Sequence, residues 1–285
     1  MQDNAMEDQF SRTRMLLGPS AIDVLRASRV AVFGVGGVGG YAVEVLARSG
    51  VGLLDLFDND RVSLTNLNRQ LIALHSTLGR YKVDVAAERI RDINPSCRVR
   101  PFPVFYLPEN ADQVDLTRYD YVVDCIDTVK AKMELARRCH ALGIPLISSM
   151  GAANKLDPTA FRVSDLSKTQ MDPLAKIMRT TLRREGIRHL KVVYSEEPPL
   201  RPLAPSPETS DRPDATPDGQ PAQPRRQVPA SNAFVPGAAG LIIGGEVVKD
   251  LISRAQTMQL APEPSLPPQE TGKQPRSRDF TQEKS

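Results

Sequence analysis

A glycine-rich segment, GVGGVG at residues 34–39, directly follows a short apolar run. A turn of this kind between a strand and a helix lets the backbone approach a phosphate group, which then lies at the positive end of the helix. The candidate nucleotide-binding residues of this segment are Gly34, Gly36, Gly37 and Gly39. The same glycines could serve only to make a tight turn, so the segment alone is a weak signal.

Asp58 strengthens the nucleotide interpretation. It ends the next apolar run, about 20 residues after the loop, where a carboxylate can accept hydrogen bonds from ribose hydroxyls. The loop and the acid together predict a nucleotide site. A nicotinamide cofactor and ATP would both fit these two features.

The residues downstream of Asp58 favour ATP. Asn66, Arg69 and Lys82 follow it within a polar stretch that leads into the next helix. An enzyme that holds a triphosphate needs positive charge around the phosphoryl oxygens, whereas hydride transfer does not. The alternative is that Arg69 and Lys82 are solvated surface charges.

Asp127 completes the candidate site. It follows the apolar residues 122–126, at the carboxyl end of a predicted strand, where ligands bind in α/β proteins. Its carboxylate could hold a magnesium ion on the phosphates. Asp124 faces the other side of the strand by alternation, and we expect it to be structural.

The elements that must position these residues follow from the hydropathy pattern. Apolar runs alternate with amphipathic stretches between residues 29 and 150, as is typical of β-α-β units. Strands are predicted at residues 30–33, 53–57, 99–104, 121–126 and 145–149, and helices at residues 41–48, 83–93 and 133–142. The predicted fold is α/β, with a Rossmann-like, doubly wound, mostly parallel sheet as the nucleotide-binding core.

Residues 151–252 are predicted to form a C-terminal extension packed on the same domain. They contain strand-like segments at 160–163 and 192–194, a basic amphipathic helix at 173–184, and a small-residue helix, suited to close packing, at 234–252. Residues 198–229 are crowded with Pro, Asp, Ser and Gln, and residues 253–285 with Pro, Gln and Lys. We expect a disordered loop and a disordered tail there, because neither can bury enough apolar surface.

Composition narrows the class of protein. The 285 residues include 37 Lys and Arg against 34 Asp and Glu, and the net charge of +3 does not by itself indicate a nucleic-acid binder. The acidic N-terminus predicts no export signal, and we expect no membrane span. Cys97, Cys125 and Cys139 form no CxxC pair, which argues against a disulfide framework or a paired-cysteine zinc site and fits the cytoplasm. The three histidines lack metal-ligand spacing.

Together the motifs resemble the ThiF-type, ubiquitin-activating-like superfamily of adenylating enzymes, which includes the activators of bacterial sulfur-carrier proteins. The shared features are GVGGVG at 34–39, DND at 58–60, the run 66–70, Lys82 and CIDT at 125–128. The resemblance covers about residues 10–252.

The resemblance implies roles for particular residues. It implies ATP as cofactor, with Asp58 on the ribose, Asn66, Arg69 and Lys82 around the phosphates, and Asp127 on Mg²⁺. It further implies a homodimer in which an arginine from the N-terminal segment, Arg12 or alternatively Arg14, enters the ATP site of the other subunit. Arg69, Lys82, Asp127 and Arg12 are then the catalytic residues.

Three segments are similar to the tRNA threonylcarbamoyladenosine dehydratase branch of this superfamily: DLSKT at 165–169, DPL at 172–174 and VYSEEP at 193–198. That branch uses ATP to activate the carboxylate of threonylcarbamoyladenosine in the tRNA anticodon loop, and the modification then closes into a cyclic form. The resemblance leaves room for an accessory sulfur-transfer protein. Two other functions stay open: adenylation of the C-terminal glycine of a ubiquitin-like sulfur-carrier protein, and an NAD-dependent oxidoreductase.

The absence of CxxC pairs favours the tRNA hypothesis. No cysteine follows Cys139, so a catalytic thiol late in the chain is excluded, and ring closure needs none because its nucleophile is tethered beside the adenylate. A run of basic residues supports a tRNA partner, although such a run can equally be a solvated helix face. These residues are Lys176, Arg179, Arg183, Arg184, Arg188 and Lys191.

Overall fold

The structure, a computed structural model, describes residues 7–203 and 229–259. Its centre is a 7-stranded sheet in the order β3-β2-β1-β4-β5-β7-β6. The strands are β1 (Arg29–Phe33), β2 (Leu53–Phe57), β3 (Arg98–Phe102), β4 (Tyr121–Asp124), β5 (Leu146–Ser149), β6 (Phe161–Asp165) and β7 (Lys191–Ser195). Only the β6–β7 pair is antiparallel within this sheet. The predicted doubly wound, mostly parallel sheet is confirmed, and β6 and β7 add the C-terminal extension to it.

Helices cover both faces of the sheet. They are α1 (Ser11–Leu17), α2 (Pro19–Ala27), α3 (Gly39–Ser49), α4 (Lys82–Ile93), α5 (Val129–Leu142), α6 (Pro173–Arg184) and α7 (Val235–Gln259). The core on one face includes side chains of α2, α3, α4 and α7, and the core on the other face includes those of α5 and α6. The two N-terminal helices were not predicted as helices, whereas α3 to α7 lie where the hydropathy pattern placed them.

Several predicted boundaries were wrong, among them the start of α5, which lies at Val129 rather than at residue 133. β4 ends at Asp124 rather than at residue 126, because the backbone turns there and the Ile126 N–H donates to an Asp124 carboxylate oxygen over 3.1 Å. β3 ends at Phe102 rather than at residue 104. Helix α7 continues to Gln259, beyond the expected end at residue 252. Most of the predicted loop at 198–229, and the part of the predicted tail after residue 259, lie outside the described residues.

Helix α7 packs against α3 through glycines. A Cβ atom at Gly240 would lie 2.2 Å from the Val38 carbonyl oxygen, and one at Gly244 would lie 2.6 Å from the Cβ atom of Val45. Side chains at these two positions would therefore push the helices apart. This contact fixes the N-terminal end of α7 beside the glycine-rich loop, where Pro236 approaches Gly37. The predicted small-residue packing is confirmed.

No helix in the described ranges is long and apolar enough to cross a membrane.

We expect Gly240→Ala to lower the free energy of unfolding by about 1–3 kcal/mol, since the added methyl group overpacks the contact between α3 and α7. Gly245→Ala is the matched control in the same helix, because nothing lies within 4 Å of its Cβ position. That change should stabilise the protein by about 0.5–1 kcal/mol through helix propensity. Urea denaturation of both variants tests this, and equal effects would contradict the packing role of Gly240.

Candidate nucleotide-binding site

A cleft of about 720 Å³ opens at the carboxyl edge of the parallel strands. Of the candidate residues, those that line it are Gly34, Gly36, Gly37, Asp58, Asn66, Arg69, Lys82 and Asp127. The ends of β1, β2 and β4 bring these residues together from distant parts of the sequence, because neighbouring parallel strands finish at one edge. Gly39 and Arg12 are outside the lining.

The glycine-rich loop is shaped by a close contact with the end of β4. Gly34 has φ +88°, and a Cβ atom there would lie 2.6 Å from the Cys125 carbonyl oxygen. Gly39 is buried beneath the loop, where a Cβ atom would lie 1.8 Å from the Gly34 carbonyl oxygen. Gly39 therefore permits the packing of α3 under the loop, and its contact is with protein rather than with the cleft.

The loop leaves backbone donors free at the start of α3. Within the described residues, the N–H groups of Gly36, Gly37 and Val38 donate to no protein acceptor. They lie at the N-terminal end of an 11-residue helix, where the helix dipole adds positive potential. Free N–H groups in this position form an anion site that suits a phosphate.

Asp58 is held in place by the loop that it faces. Its carboxylate accepts hydrogen bonds from the Val35 N–H (2.7 Å) and from the Asp60 N–H (2.8 Å). Burial raises the pKa of this carboxyl, while the positive charge of Lys82 opposes that rise. An acceptor so fixed at the end of β2 can receive the hydroxyl protons of a ribose.

Lys82 begins α4 and points its ammonium group at the same region. The side chain is buried, and its Nζ lies 2.7 Å from an Asp60 carboxylate oxygen. The Lys82 N–H also donates to the Asp60 carbonyl over 3.0 Å, so Asp60 fixes both ends of the residue. The alternative of a solvated surface charge is wrong for Lys82.

The segment at residues 66–70 forms another wall of the cleft. The Asn66 side-chain oxygen accepts from the Ser63 N–H over 3.1 Å, and the Arg69 guanidinium donates to the Thr65 carbonyl and the Asn68 side chain, both at 2.9 Å. Sequence reasoning did not single out Gln70, which also lines the cleft. Its side-chain oxygen is buried and has no hydrogen-bond partner among the described residues. The signal that could have identified Gln70 was its place in the run 66–70, which is shared with the family.

Asp127 lies at the rim of the cleft, just after β4. Its side chain is exposed, and within the described residues its carboxylate accepts a hydrogen bond from the Thr128 hydroxyl at 3.3 Å. No group of three or more His, Cys, Asp or Glu side chains suited to a metal ion occurs in the described part of the chain. A lone free carboxylate beside a phosphate site fits Mg²⁺, which takes one or two protein carboxylates and completes its shell with phosphate and water.

Asp124 lies below this rim in a buried polar cluster, and the expectation that it is structural is confirmed. Its carboxylate is 2.9 Å from Lys132 Nζ and 2.5 Å from the Ser148 hydroxyl, and all three side chains are at most 1% exposed. The other carboxylate oxygen accepts the Ile126 N–H, so the cluster holds the turn that carries Asp127.

Apolar residues complete the cleft beside Asp58. Val104, Phe105 and Ile126 line it, and Phe105 is 44% exposed. Flat apolar surface next to a ribose-binding carboxylate suits a purine base. Sequence reasoning assigned these residues to strands or left them out, because nothing in their types distinguishes a base-binding wall from core.

The cysteines do not provide a reactive thiolate. Cys125 lines the cleft, but burial raises the pKa of its thiol to about 12. Burial likewise raises the pKa of Cys97 to about 11 and that of Cys139 to about 12. All three thiols stay protonated at neutral pH, and the protonated form is a poor nucleophile.

The two N-terminal arginines differ in their contacts. Arg14 forms an ion pair with Asp8 at 2.8 Å, and this pairing lowers the pKa of the Asp8 carboxyl. Arg12 is exposed and makes no ion pair or side-chain hydrogen bond in the part of the chain that the structure describes. Within the described residues, Arg12 is therefore the candidate whose guanidinium is unpaired.

A second cavity, of about 470 Å³, lies between α5 and the β6–β7 edge. It is lined by His140 and His189 and contains none of the candidate nucleotide-binding residues. His189 lies 3.1 Å from an Asp165 carboxylate oxygen. The histidines therefore take no part in the cleft.

Comparison with known proteins places this geometry in a family. The model of the ThiF family matches residues 10–264. The chain is 48% identical to a tRNA threonylcarbamoyladenosine dehydratase of Bacillus subtilis, over 87% of this chain and 96% of the relative. Crystal structures of E. coli tRNA N6-threonylcarbamoyladenosine dehydratase in complex with AMP and with ATP are 33% identical and superpose with TM-scores of 0.76 and 0.74. Each superposition covers 87% of this chain and 96% of the E. coli chain.

The buried cluster below Asp127 predicts a strong effect on stability. Lys132→Met should lower the free energy of unfolding by about 3–5 kcal/mol, because it leaves the Asp124 charge buried without its partner. Lys130→Met is the control, since Lys130 is exposed on the same helix and such a change costs within about 0.5 kcal/mol. Urea denaturation distinguishes the two, and a Lys132→Met protein as stable as the control would show that the ion pair is dispensable.

Proposed function

The chain belongs to the ThiF family, and we propose that it uses ATP to dehydrate N6-threonylcarbamoyladenosine in the tRNA anticodon loop to its cyclic form. The observation that carries the proposal is that one cleft contains the free N–H groups of the loop, the Asp58 acceptor, the cations of Arg69 and Lys82, and the exposed carboxylate of Asp127. The ATP-bound E. coli dehydratase supports the assignment of ATP to such a cleft, because the two chains share their fold over nearly their full length.

The reaction divides into two displacements. The carboxylate of the modification attacks the α-phosphorus of ATP, the bond between the α- and β-phosphates breaks, and pyrophosphate leaves. A nucleophile of the same modification then attacks the acyl carbon, loses its proton, and displaces AMP, which carries away the carboxylate oxygen. The net change is the loss of one water from the modification, driven by cleavage of ATP.

The residues of the cleft divide the work of the first displacement. The loop N–H groups at Gly36 and Gly37 and the ammonium of Lys82 stabilise charge on the phosphates. Arg69, whose Cγ would lie 3.5 Å from a Cβ atom at Gly37, adds a guanidinium beside the loop. Preorganised donors of this kind lower the barrier because they do not reorient as charge develops. Asp58 fixes the ribose, which sets the position of the α-phosphorus relative to the loop.

Asp127 would hold Mg²⁺ on the phosphates. The ion would supply charge neutralisation on the phosphate oxygens and keep the leaving pyrophosphate oriented. The contribution of the chain is an exposed carboxylate on a turn that the buried Asp124–Lys132 pair holds rigid.

The second displacement needs no covalent intermediate on the enzyme. The raised pKa of each thiol, about 11 for Cys97 and about 12 for Cys125 and Cys139, supports direct closure. The nucleophile is already tethered to the acyl group, which gives it a high effective concentration. Three unpaired cysteines and a tRNA substrate also support a cytoplasmic location.

The homodimer is proposed from the N-terminal helix. Helix α1 buries none of its residues, and Met15 and Leu16 are 86% and 83% exposed. Exposed apolar residues of this size beside an unpaired arginine fit an interface between two copies of the chain. Arg12 of one subunit would then reach the phosphates in the cleft of the other.

The second candidate function is adenylation of a sulfur-carrier protein. It would use the same ATP site, so the cleft does not separate the two functions. Full-length similarity to dehydratases and the lack of CxxC pairs favour the tRNA substrate. Pyrophosphate exchange that depends on modified tRNA, and not on a small carrier protein, would support this choice.

Reconstitution with ATP, Mg²⁺ and tRNA that carries threonylcarbamoyladenosine should yield the cyclic nucleoside, measured by mass spectrometry. Lys82→Ala, Arg69→Ala and Asp127→Ala should each lower the rate by about 10²-fold or more, the effect of losing one preorganised charge from a transition state. Arg118→Ala, an exposed charge at the other edge of the sheet, is the control and should retain full activity. Near-normal rates in all three site variants would refute the phosphate assignment.

Mixing Arg12→Ala protein with Asp127→Ala protein should restore part of the activity that each lacks. Hybrid dimers would contain one cleft with both groups present. The comparison is a mixture of Arg14→Ala protein with Asp127→Ala protein. Arg14 is paired with Asp8 in its own subunit, so we expect Arg14 to have no role in the cleft of the other subunit. Native mass spectrometry shows whether the subunits exchange. If they do, and the mixture that contains Arg12→Ala regains no activity, then Arg12 does not act in the cleft of the other subunit.

A further inference from the structure

The outer face of α6 carries cations that the nucleotide site does not use. Lys176, Arg183, Arg184 and the following Arg188 are exposed. Within the described ranges none of the four makes an ion pair or a side-chain hydrogen bond. The other two basic residues of the run differ, because Arg179 donates to Thr169 and Lys191 pairs with Glu246 and Asp250, at 2.8 Å each.

This face begins at the cleft and leads away from it. Leu174, in the first turn of α6, lines the cleft, and the Asp172 carboxylate before it accepts from the Gly151 and Ala175 N–H groups. Helix α6 has 12 residues and leads to β7, so it extends about 18 Å from the cleft edge toward the opposite edge of the sheet. Lys176 and Arg183 are then about 10 Å apart along the helix axis.

The charge is not balanced by nearby acids. Glu185, at the end of α6, is bound by Arg137 at 2.7 Å, and Asp165 is bound by His189 at 3.1 Å. The first turn of α6 contains no acidic residue, and its Lys176 adds positive charge near the helix N-terminus, which the dipole disfavours. Arg183 and Arg184 lie in the last turn, where the dipole favours cations, so helix stability accounts for these two but not for Lys176 or for Arg188 after the helix. An anionic partner would account for all four.

We propose that the outer face of α6, defined by Lys176, Arg183, Arg184 and Arg188, binds tRNA phosphates outside the cleft while the modified adenosine lies inside it. This rests on the proposed function. A row of exposed cations that starts at the cleft and continues for about 10 Å or more matches successive phosphates of one RNA backbone. Phosphate contacts of this kind position the substrate and carry no sequence information.

The test compares two variants of equal net charge. Arg183→Gln/Arg184→Gln removes two cations of α6, and glutamine keeps the helix propensity. Arg98→Gln/Arg118→Gln removes two exposed cations that lie on β3 and just before β4 rather than on α6. Affinity for modified tRNA is measured at several salt concentrations, together with affinity for ATP and for a short single-stranded oligonucleotide that carries the modified adenosine.

The α6 variant should bind modified tRNA on the order of tenfold more weakly, with a salt slope smaller by about 2, one for each lost contact. Its affinities for ATP and for the short oligonucleotide should equal those of the wild-type enzyme. The control variant should lose no affinity for modified tRNA. Equal weakening in the control, an unchanged salt slope, or the same loss with the short oligonucleotide would overturn the proposal. If the unmodified enzyme forms no cyclic nucleoside from modified tRNA, the proposed function itself fails, and that result is distinct from the other three.

Discussion

The close approach of the glycine-rich loop to the end of β4 sets the shape of the site. Gly34 lies against the Cys125 carbonyl and Gly39 against the Gly34 carbonyl, with no room for a Cβ atom at either position. This contact brings the free N–H groups of the loop and the turn that carries Asp127 to one place. Helix α7 restrains the loop from the other side, through Pro236 against Gly37 and through its glycine contacts with α3. The cleft is therefore a consequence of backbone packing.

Charges in the structure fall into two groups. Charges of the scaffold are paired within the chain: buried Asp124 with buried Lys132, buried Asp55 with half-buried Arg100, and half-buried Lys191 with Glu246 and Asp250. Such pairs are costly to break and hold strands and helices in register. The charges of the cleft are less satisfied, since Asp127 is nearly free and Lys82 relies on an exposed aspartate. Ligand charge would complete them, which is the electrostatic basis for a phosphate site.

The positions of the strands along the chain and the type of each central element could be predicted from the sequence, whereas the order of the strands in the sheet came from the structure. Short apolar runs alternate with amphipathic stretches along the chain, as strands alternate with helices in a parallel sheet. Strands that are covered on both faces are apolar throughout. Predicted boundaries were wrong at β3, β4 and α7 among others. At β4 the reason is a side-chain bond, because the Ile126 N–H donates to the Asp124 carboxylate and ends the strand. Helices α1 and α2 were missed. Helix α1 has no buried face, and α2, which buries Ala21, Ile22 and Leu25, is only 9 residues long.

The sequence by itself determined which groups are candidates for the proposed nucleotide site: the glycines, Asp58, Asn66, Arg69, Lys82 and Asp127 are identified by their types and order. Tertiary structure decided what each one does. Gly39 packs against the Gly34 carbonyl, and Gln70 lines the cleft. Arg14 pairs with Asp8, whereas Arg12 makes no ion pair within the described residues. Arg179 and Lys191 bind other residues of the chain and so do not belong to the outer basic face of α6. The physical reason is that residue type fixes the charges and donors a side chain offers, whereas its partners and exposure depend on distant segments that only the folded chain brings together.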